Sequence, residues 1–256
     1  MKSEGLDGFL DLVYLPPNNW ENREKSELIL NVIWPDSDRW QIQKLTRISY
    51  GQRFRFGTEA LKDSLKTNVC FIYPSKIELP NHLQQLPSEK SWVSRVPEWR
   101  VTTGFRNKQA QTSYQAEIFP FPKQASLLTF HPFIQYGDVE NRLLVLNLSD
   151  NPQVIESVID LFDSVSGEKL GSETVRTNSL TTIYLDKYDF KPSQLPIFYA
   201  PNMAGVPFGL GISNDGSMLS LEHTHPPASL VLFGNRNSIQ GQVKKKWVNF
   251  LLGASQ

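Results

Sequence analysis

Two parts of this 256-residue chain repeat each other, and that repetition limits the fold more than any composition figure does. Sliding the chain by 116 positions lays Leu12-Val13-Tyr14-Leu15-Pro16-Pro17 over Leu128-Thr129-Phe130-His131-Pro132-Phe133. The same shift lays Leu28-Ile29-Leu30-Asn31 over Leu144-Val145-Leu146-Asn147, Trp20 over Tyr136 and Glu24 over Glu140. Further on the offset shortens. Gly104-Phe105-Arg106-Asn107 lies over Gly211-Ile212-Ser213-Asn214 at 107, Glu117 and Pro122 over Glu222 and Pro227 at 105, and Ala125-Ser126-Leu127 over Ala228-Ser229-Leu230 at 103. The shared order of these weak matches reads as a tandem duplication whose second copy has the shorter loops. It divides the chain into residues 1–124 and 125–256. No Gly/Ser linker separates the halves, so the copies are expected to pack closely.

Each copy reads as β-strands. Leu28 to Trp34 and Leu143 to Leu148 are short apolar runs of the kind found in buried strands, Val154 to Phe162 alternates, and Leu180 to Leu185 is rich in β-branched residues. Asn214-Asp215-Gly216 is a hairpin signal, because Asp-Gly readily takes positive φ. The expected class is all-β: two tandem β-sandwich or jelly-roll-like domains with a short C-terminal helix. That helix follows from Val243, Trp247, Phe250 and Leu251, which fall on one helical face. Asn237 or Ser238 would cap it, and Lys244 to Lys246 would lie on its solvent side. Residues 75–99, rich in Pro and Gln, read as an insertion loop in the first copy.

Composition removes several classes of function. Lys plus Arg and Asp plus Glu are each 26, so the net charge is +0 and no global field attracts nucleic acid or anionic lipid. No apolar run approaches the ~20 residues of a membrane span, and the charged N-terminus lacks a signal-peptide core, which predicts a cytoplasmic protein without membrane insertion. The single Cys, Cys70, sits in an apolar run and reads as a core residue. Neither a nucleophile elbow nor a Lys-Ser/Thr phosphate loop is present.

Tyr14-Leu15-Pro16-Pro17 followed by Glu27-Leu28-Ile29-Leu30-Asn31 resembles the start of the sensory rhodopsin transducer family, with its Tyr-x-Pro-Pro segment and apolar strand ending Leu-Asn. Phe130-His131-Pro132-Phe133 and Leu144 to Asp150 repeat the pattern. Phe105-Arg106 stands where the family often has an aromatic or small residue followed by Arg, whereas the second copy has Ile212-Ser213. The resemblance implies a β-sandwich similar to carbohydrate-binding modules and a role in binding a sugar-like small molecule or a protein partner. It also implies self-association. Members tend to form four-fold assemblies of single domains, which a two-domain chain would reproduce as a dimer.

Three groups of side chains stand out as sites. Trp92 and Trp99, with Arg95 between and Arg100 beside them, suit stacking on a sugar ring or anchoring a partner, and Arg106 joins them through the resemblance. His223-Thr224-His225 places two imidazoles on one strand face, where a divalent metal with further ligands such as His82 or His131 would make a metal module or metal-dependent enzyme. Pro226-Pro227 follows at once, which favours a strand-end pair of surface histidines instead. Arg53 and Arg55 share one strand face opposite Phe54 and Phe56, which reads as a solvated face rather than an anion-binding edge. The expected function is therefore non-enzymatic binding with no cofactor. The alternatives are metal chemistry at His223 and His225, or a structural assembly subunit.

Overall fold

The computed structural model describes residues 1, 3–15, 20–57, 68–86, 99–115, 125–131, 138–188, 190–191, 193–223 and 236–253, without the side chains of residues 20, 23 and 236–240. The chain divides into two compact units, Met1–Pro120 with Leu148–Val154 and Thr177–Leu180, and Phe121–Asn147 with Ile155–Arg176 and Thr181–Gln256. The protein is all-β, with one α-helix among the described residues.

In the first unit the strands are β1 (Asp7–Tyr14), β2 (Glu27–Asp36), β3 (Arg39–Ser49), β4 (Arg53–Gly57), β5 (Phe71–Ser75), β6 (His82–Leu83), β7 (Trp99–Arg106) and β8 (Gln111–Gln115). They form two antiparallel sheets, β4-β1-β7-β8 and β5-β2-β3-β6. The sheets share a core in which Leu12, Tyr14 and Val101 of one meet Leu28, Leu30 and Ile48 of the other. Those positions alternate along each strand, as one buried sheet face requires. The other face of β2 is buried too. Ile33 packs with Trp40, Ile42 and Leu148, and the Trp40 indole donates to the Asp150 carbonyl at 3.0 Å. The β2–β3 turn is two residues long and holds Ser37 at φ 58.

In the second unit the strands are β9 (Leu127–Phe130), β10 (Val139–Asn147), β11 (Glu156–Asp163), β12 (Lys169–Arg176), β13 (Ser179–Tyr184), β14 (Pro196–Ala200), β15 (Val206–Ser213) and β16 (Leu219–His223). Their sheets are β13-β10-β15-β16 and β12-β11-β14-β9. Leu143, Val145 and Ile183 meet Ile159, Leu161, Phe198 and Ala200 between them. Helix α1 (Arg236–Leu251) closes the far face of the second sheet, where Trp247 and Leu251 pack on Leu128, Phe162 and Ile197.

The pairing pattern occurs twice. β1 lies between β4 and β7, with β8 beyond; β10 lies between β13 and β15, with β16 beyond. β2 lies between β3 and β5, and β11 between β12 and β14. The β-bulge recurs as well. The register slips between Leu30 and Asn31 opposite β3 and between Leu161 and Phe162 opposite β12, making Leu45 and Leu170 the extra residues. Both leucines are turned against the core of their unit, which is what a bulge does to the side chain it displaces. This corrects the alignment at offset 116, which laid β1 on β9 and β2 on β10. The strand paired like β2 is β11, 131 positions on from Leu30 to Leu161. The misalignment has a physical source: residues 28–33 and 143–147 are buried on both faces, so both strands read as apolar runs that carry a buried Asn, Asn31 or Asn147, after a Leu. The offset of 107 does join strands of matching pairing, β7 and β15.

Smaller corrections follow from packing. Residues 75–99 are not a loop throughout, since Ser75 ends β5, His82–Leu83 pair with β3 and Trp99 opens β7. Helix α1 begins at Arg236, ahead of the expected caps. Phe250 is half-exposed over Gly167 instead of buried, and the Lys244 ammonium is turned inward to the Ser126 carbonyl, where burial lowers its pKa. Cys70 is partly buried against the Val32–Phe56 cluster, and burial pushes its thiol pKa up.

Candidate functional site

The outer face of the sheet β4-β1-β7-β8 is the candidate site, and strand alternation builds it. In β1, Leu10, Leu12 and Tyr14 turn inward, which leaves Phe9, Asp11 and Val13 outward. In β4 the phenylalanines Phe54 and Phe56 point in and Arg53 and Arg55 out. In β7, Trp99 and Val101 face the core, so Arg100 and Thr102 face out.

Register assembles these outward positions into rows. Val13 lies opposite Arg53 on one side and Arg100 on the other. Asp11 lies opposite Arg55 and Thr102, and Thr102 opposite Gln115 of β8. Arg53, Arg55, Arg100, Thr102 and Gln115 are all exposed. The Asp11 side chain, only 9% exposed, lies beneath them. Its Oδ1 accepts from Arg55 Nε at 2.9 Å, and its Oδ2 accepts from Arg55 Nη2 at 2.7 Å and Arg53 Nη2 at 3.0 Å. The Arg55 guanidinium also stands 5.7 Å from the Phe9 ring centroid, a cation–π contact. The Arg55 hydrogen bonds, with the one from Arg53, hold the Asp11 carboxyl below the usual carboxylate range against the opposing effect of burial. One buried carboxylate thus fixes the plane of the Arg55 guanidinium through two bonds and tethers that of Arg53 through one, a preorganised donor surface.

The sites anticipated from sequence are placed differently. Trp92, Arg95 and His225 lie outside the described residues. Trp99 is partly buried against the core cluster of Leu12, Tyr14 and Val101. Arg106 is at the other end of the eight-residue β7, about 24 Å from Trp99 along the strand, so the structure does not bring the two together. His223 ends β16 and packs on Phe208, with ring centroids 5.9 Å apart. His131 is buried against Gly209, where an added Cβ would stand 2.8 Å from His131 Nε2. Phe208 and Gly209 are consecutive in β15 and face opposite ways, so the two histidines lie on opposite sides of that sheet. His82 belongs to the first unit. Among the described residues no three His, Cys, Asp or Glu side chains are grouped to hold a metal.

Two charged clusters in the second unit are occupied by their own members. The Arg142 guanidinium lies 4.9 Å over the Tyr184 ring and bonds Glu140, while burial and Glu140 push the Asp186 carboxyl up. Glu173 accepts from Tyr188 and Lys187, and burial together with Glu173 pushes the Tyr188 hydroxyl up.

Sequence reasoning missed Asp11, and it grouped Arg100 with Trp99 rather than with Arg53. The available signal was an acidic residue inside the apolar run Phe9-Leu10-Asp11-Leu12-Val13. Its partners lie 42 and 44 positions away, so only the β1–β4 register identifies them. No helix among the described residues is long and apolar enough to cross a membrane. Compared with known family models and with curated proteins, the chain matches none.

Proposed function

We propose that this protein is a non-enzymatic binding module that takes a small carbohydrate-like molecule on the outer face of β4-β1-β7-β8. The observation that carries the reading is the buried Asp11 carboxylate holding Arg53 and Arg55 on a sheet face where Arg100, Thr102 and Gln115 are also exposed. Sugar hydroxyls need several fixed donors and acceptors at once, and Arg53, Arg55, Thr102 and Gln115 supply them from three strands of one sheet, β4, β7 and β8. The resemblance to the sensory rhodopsin transducer family supports a sandwich of this use and a dimeric assembly. Fold likeness alone assigns no ligand, so the weight rests on the side chains.

The test is calorimetric titration of the full chain with a panel of monosaccharides, beside a Thr102→Trp variant whose indole covers the face. Saturable binding lost in the variant is expected. Unchanged affinity in Thr102→Trp, or no binding to any sugar together with capture of a protein by the same face, would overturn the reading.

A further inference from the structure

We infer that the ligand is anionic, a sugar carrying a carboxylate or phosphate, and that Arg53 and Arg100 clamp its oxyanion above Val13. This rests on the proposed sugar-binding face and names the chemistry of its occupant.

The geometry comes from the pairing register. Val13 is the outward residue of β1 opposite both Arg53 in β4 and Arg100 in β7. The two arginines therefore flank it across two strand spacings, roughly 10 Å between Cα atoms. Two long side chains at that separation can close on one small group between them. Val13 itself is half-buried and gives an apolar floor where the carbon face of a sugar can rest.

The charges on this part of the face do not cancel. Asp11 is one carboxylate, and Arg55 occupies it with two hydrogen bonds. Arg53 gives Asp11 a single Nη2 bond and is 64% exposed, so its remaining donors face outward. Arg100 spends one donor, Nη1, on the Trp99 carbonyl and is exposed. Among the described residues, three guanidinium groups against one carboxylate leave two positive charges around Val13. A neutral sugar would leave both unanswered, whereas an oxyanion accepts charge-assisted bonds from each. The whole chain is neutral, so this excess is a local feature of the face rather than a consequence of composition.

Four probes are titrated into the full chain at low salt: glucuronate, glucose 6-phosphate, glucose and inorganic phosphate. The same titrations are run on Arg53→Gln, Arg100→Gln and, as a control on the same sheet, Arg106→Gln. The acidic sugars should bind about tenfold or more tightly than glucose and than inorganic phosphate. Arg100→Gln should remove about tenfold of that affinity while leaving glucose unchanged, Arg53→Gln should weaken the acidic sugars about tenfold more than it weakens glucose, and Arg106→Gln should be without effect. The order of glucuronate and glucose 6-phosphate then assigns the oxyanion to a carboxylate or a phosphate. Glucose binding as well as the acidic sugars would overturn the clamp and leave the sugar-binding face intact. Inorganic phosphate binding as tightly as the acidic sugars would overturn the sugar part of the assignment. Equal losses in all three variants would replace the clamp by diffuse charge, and binding by no probe would overturn both this inference and the reading it rests on.

Discussion

Asp11 and Arg55 face each other across the β1–β4 pairing, and two guanidinium nitrogens of Arg55, at 2.9 and 2.7 Å, reach the two oxygens of one nearly buried carboxylate. Both arginine partners keep about half or more of their surface in water, so the pair is worth less than a fully buried one. Replacing Asp11 by Asn should cost about 1 kcal/mol. The folded carboxyl titrates below its unfolded value. Its contribution is therefore complete above the ordinary carboxylate pKa of about 4 and disappears as the pH falls through the lower folded value. Urea unfolding of wild type and Asp11→Asn at pH 7 and near pH 2 should show a stability difference only at the higher pH. A difference that persists in acid would contradict the ion-pair origin.

Trp40 is fully buried, and its indole N–H has a defined acceptor in the Asp150 carbonyl. Trp40→Phe keeps most of the apolar contact with Phe71 and Ile33 but removes that bond. It should cost about 1–2 kcal/mol, against about 3–5 kcal/mol for Trp40→Ala. Equal stability of the Phe variant and wild type would show that the bond does not hold the Leu148–Val154 segment to the first unit.

Two glycines make a comparison of what surrounds them. An added Cβ at Gly104 would come within 2.0 Å of the Thr112 carbonyl oxygen and 2.8 Å of the Ser113 Cα, both backbone. At Gly209 the close atom is the His131 ring, which can turn. Gly104→Ala should therefore part β8 from β7 and cost more than about 3 kcal/mol, while Gly209→Ala costs about 1–3 kcal/mol. Thermal unfolding of the two variants gives the order directly, and the reverse order would contradict the close approach of β7 and β8.

Helix α1 offers a test of which of its apolar residues carry the packing. Leu251 is buried beside Phe162 and Ile197, whereas Phe250 is half-exposed. Leu251→Ala should cost about 2–4 kcal/mol and Phe250→Ala less than about 1 kcal/mol. Comparable losses would mean that both face the sheet, as the sequence periodicity implied.

The legible part of this molecule was its class. Strand runs such as Leu28 to Trp34, the Asn214-Asp215-Gly216 turn and the helical spacing of Trp247 and Leu251 each reflect local rules, and each has its counterpart in the structure. The repeat register was illegible because burial on both faces makes strands of different pairing look alike, as β2 and β10 do. The bulges at Leu45 and Leu170, which mark the true correspondence, appear only once strands are paired. The candidate face was half-legible. Arg53 and Arg55 were read onto one strand face, but a solvated strand and a binding platform share that alternation. The neighbours that distinguish them, Asp11 and Arg100, come from strands distant in sequence. Trp99 attracted a functional reading by its chemistry, yet its position opposite Tyr14 places it against the core.

Amide shift mapping of isotope-labelled protein titrated with glucuronate tests the central claim most directly. Ligand on the proposed face should move the amides of residues 11–13, 53–55 and 100–102 together, with a common saturation curve. Saturable shifts gathered instead around Phe208 and His223, or none at the highest ligand concentration, would contradict a binding site on the outer face of β4-β1-β7-β8.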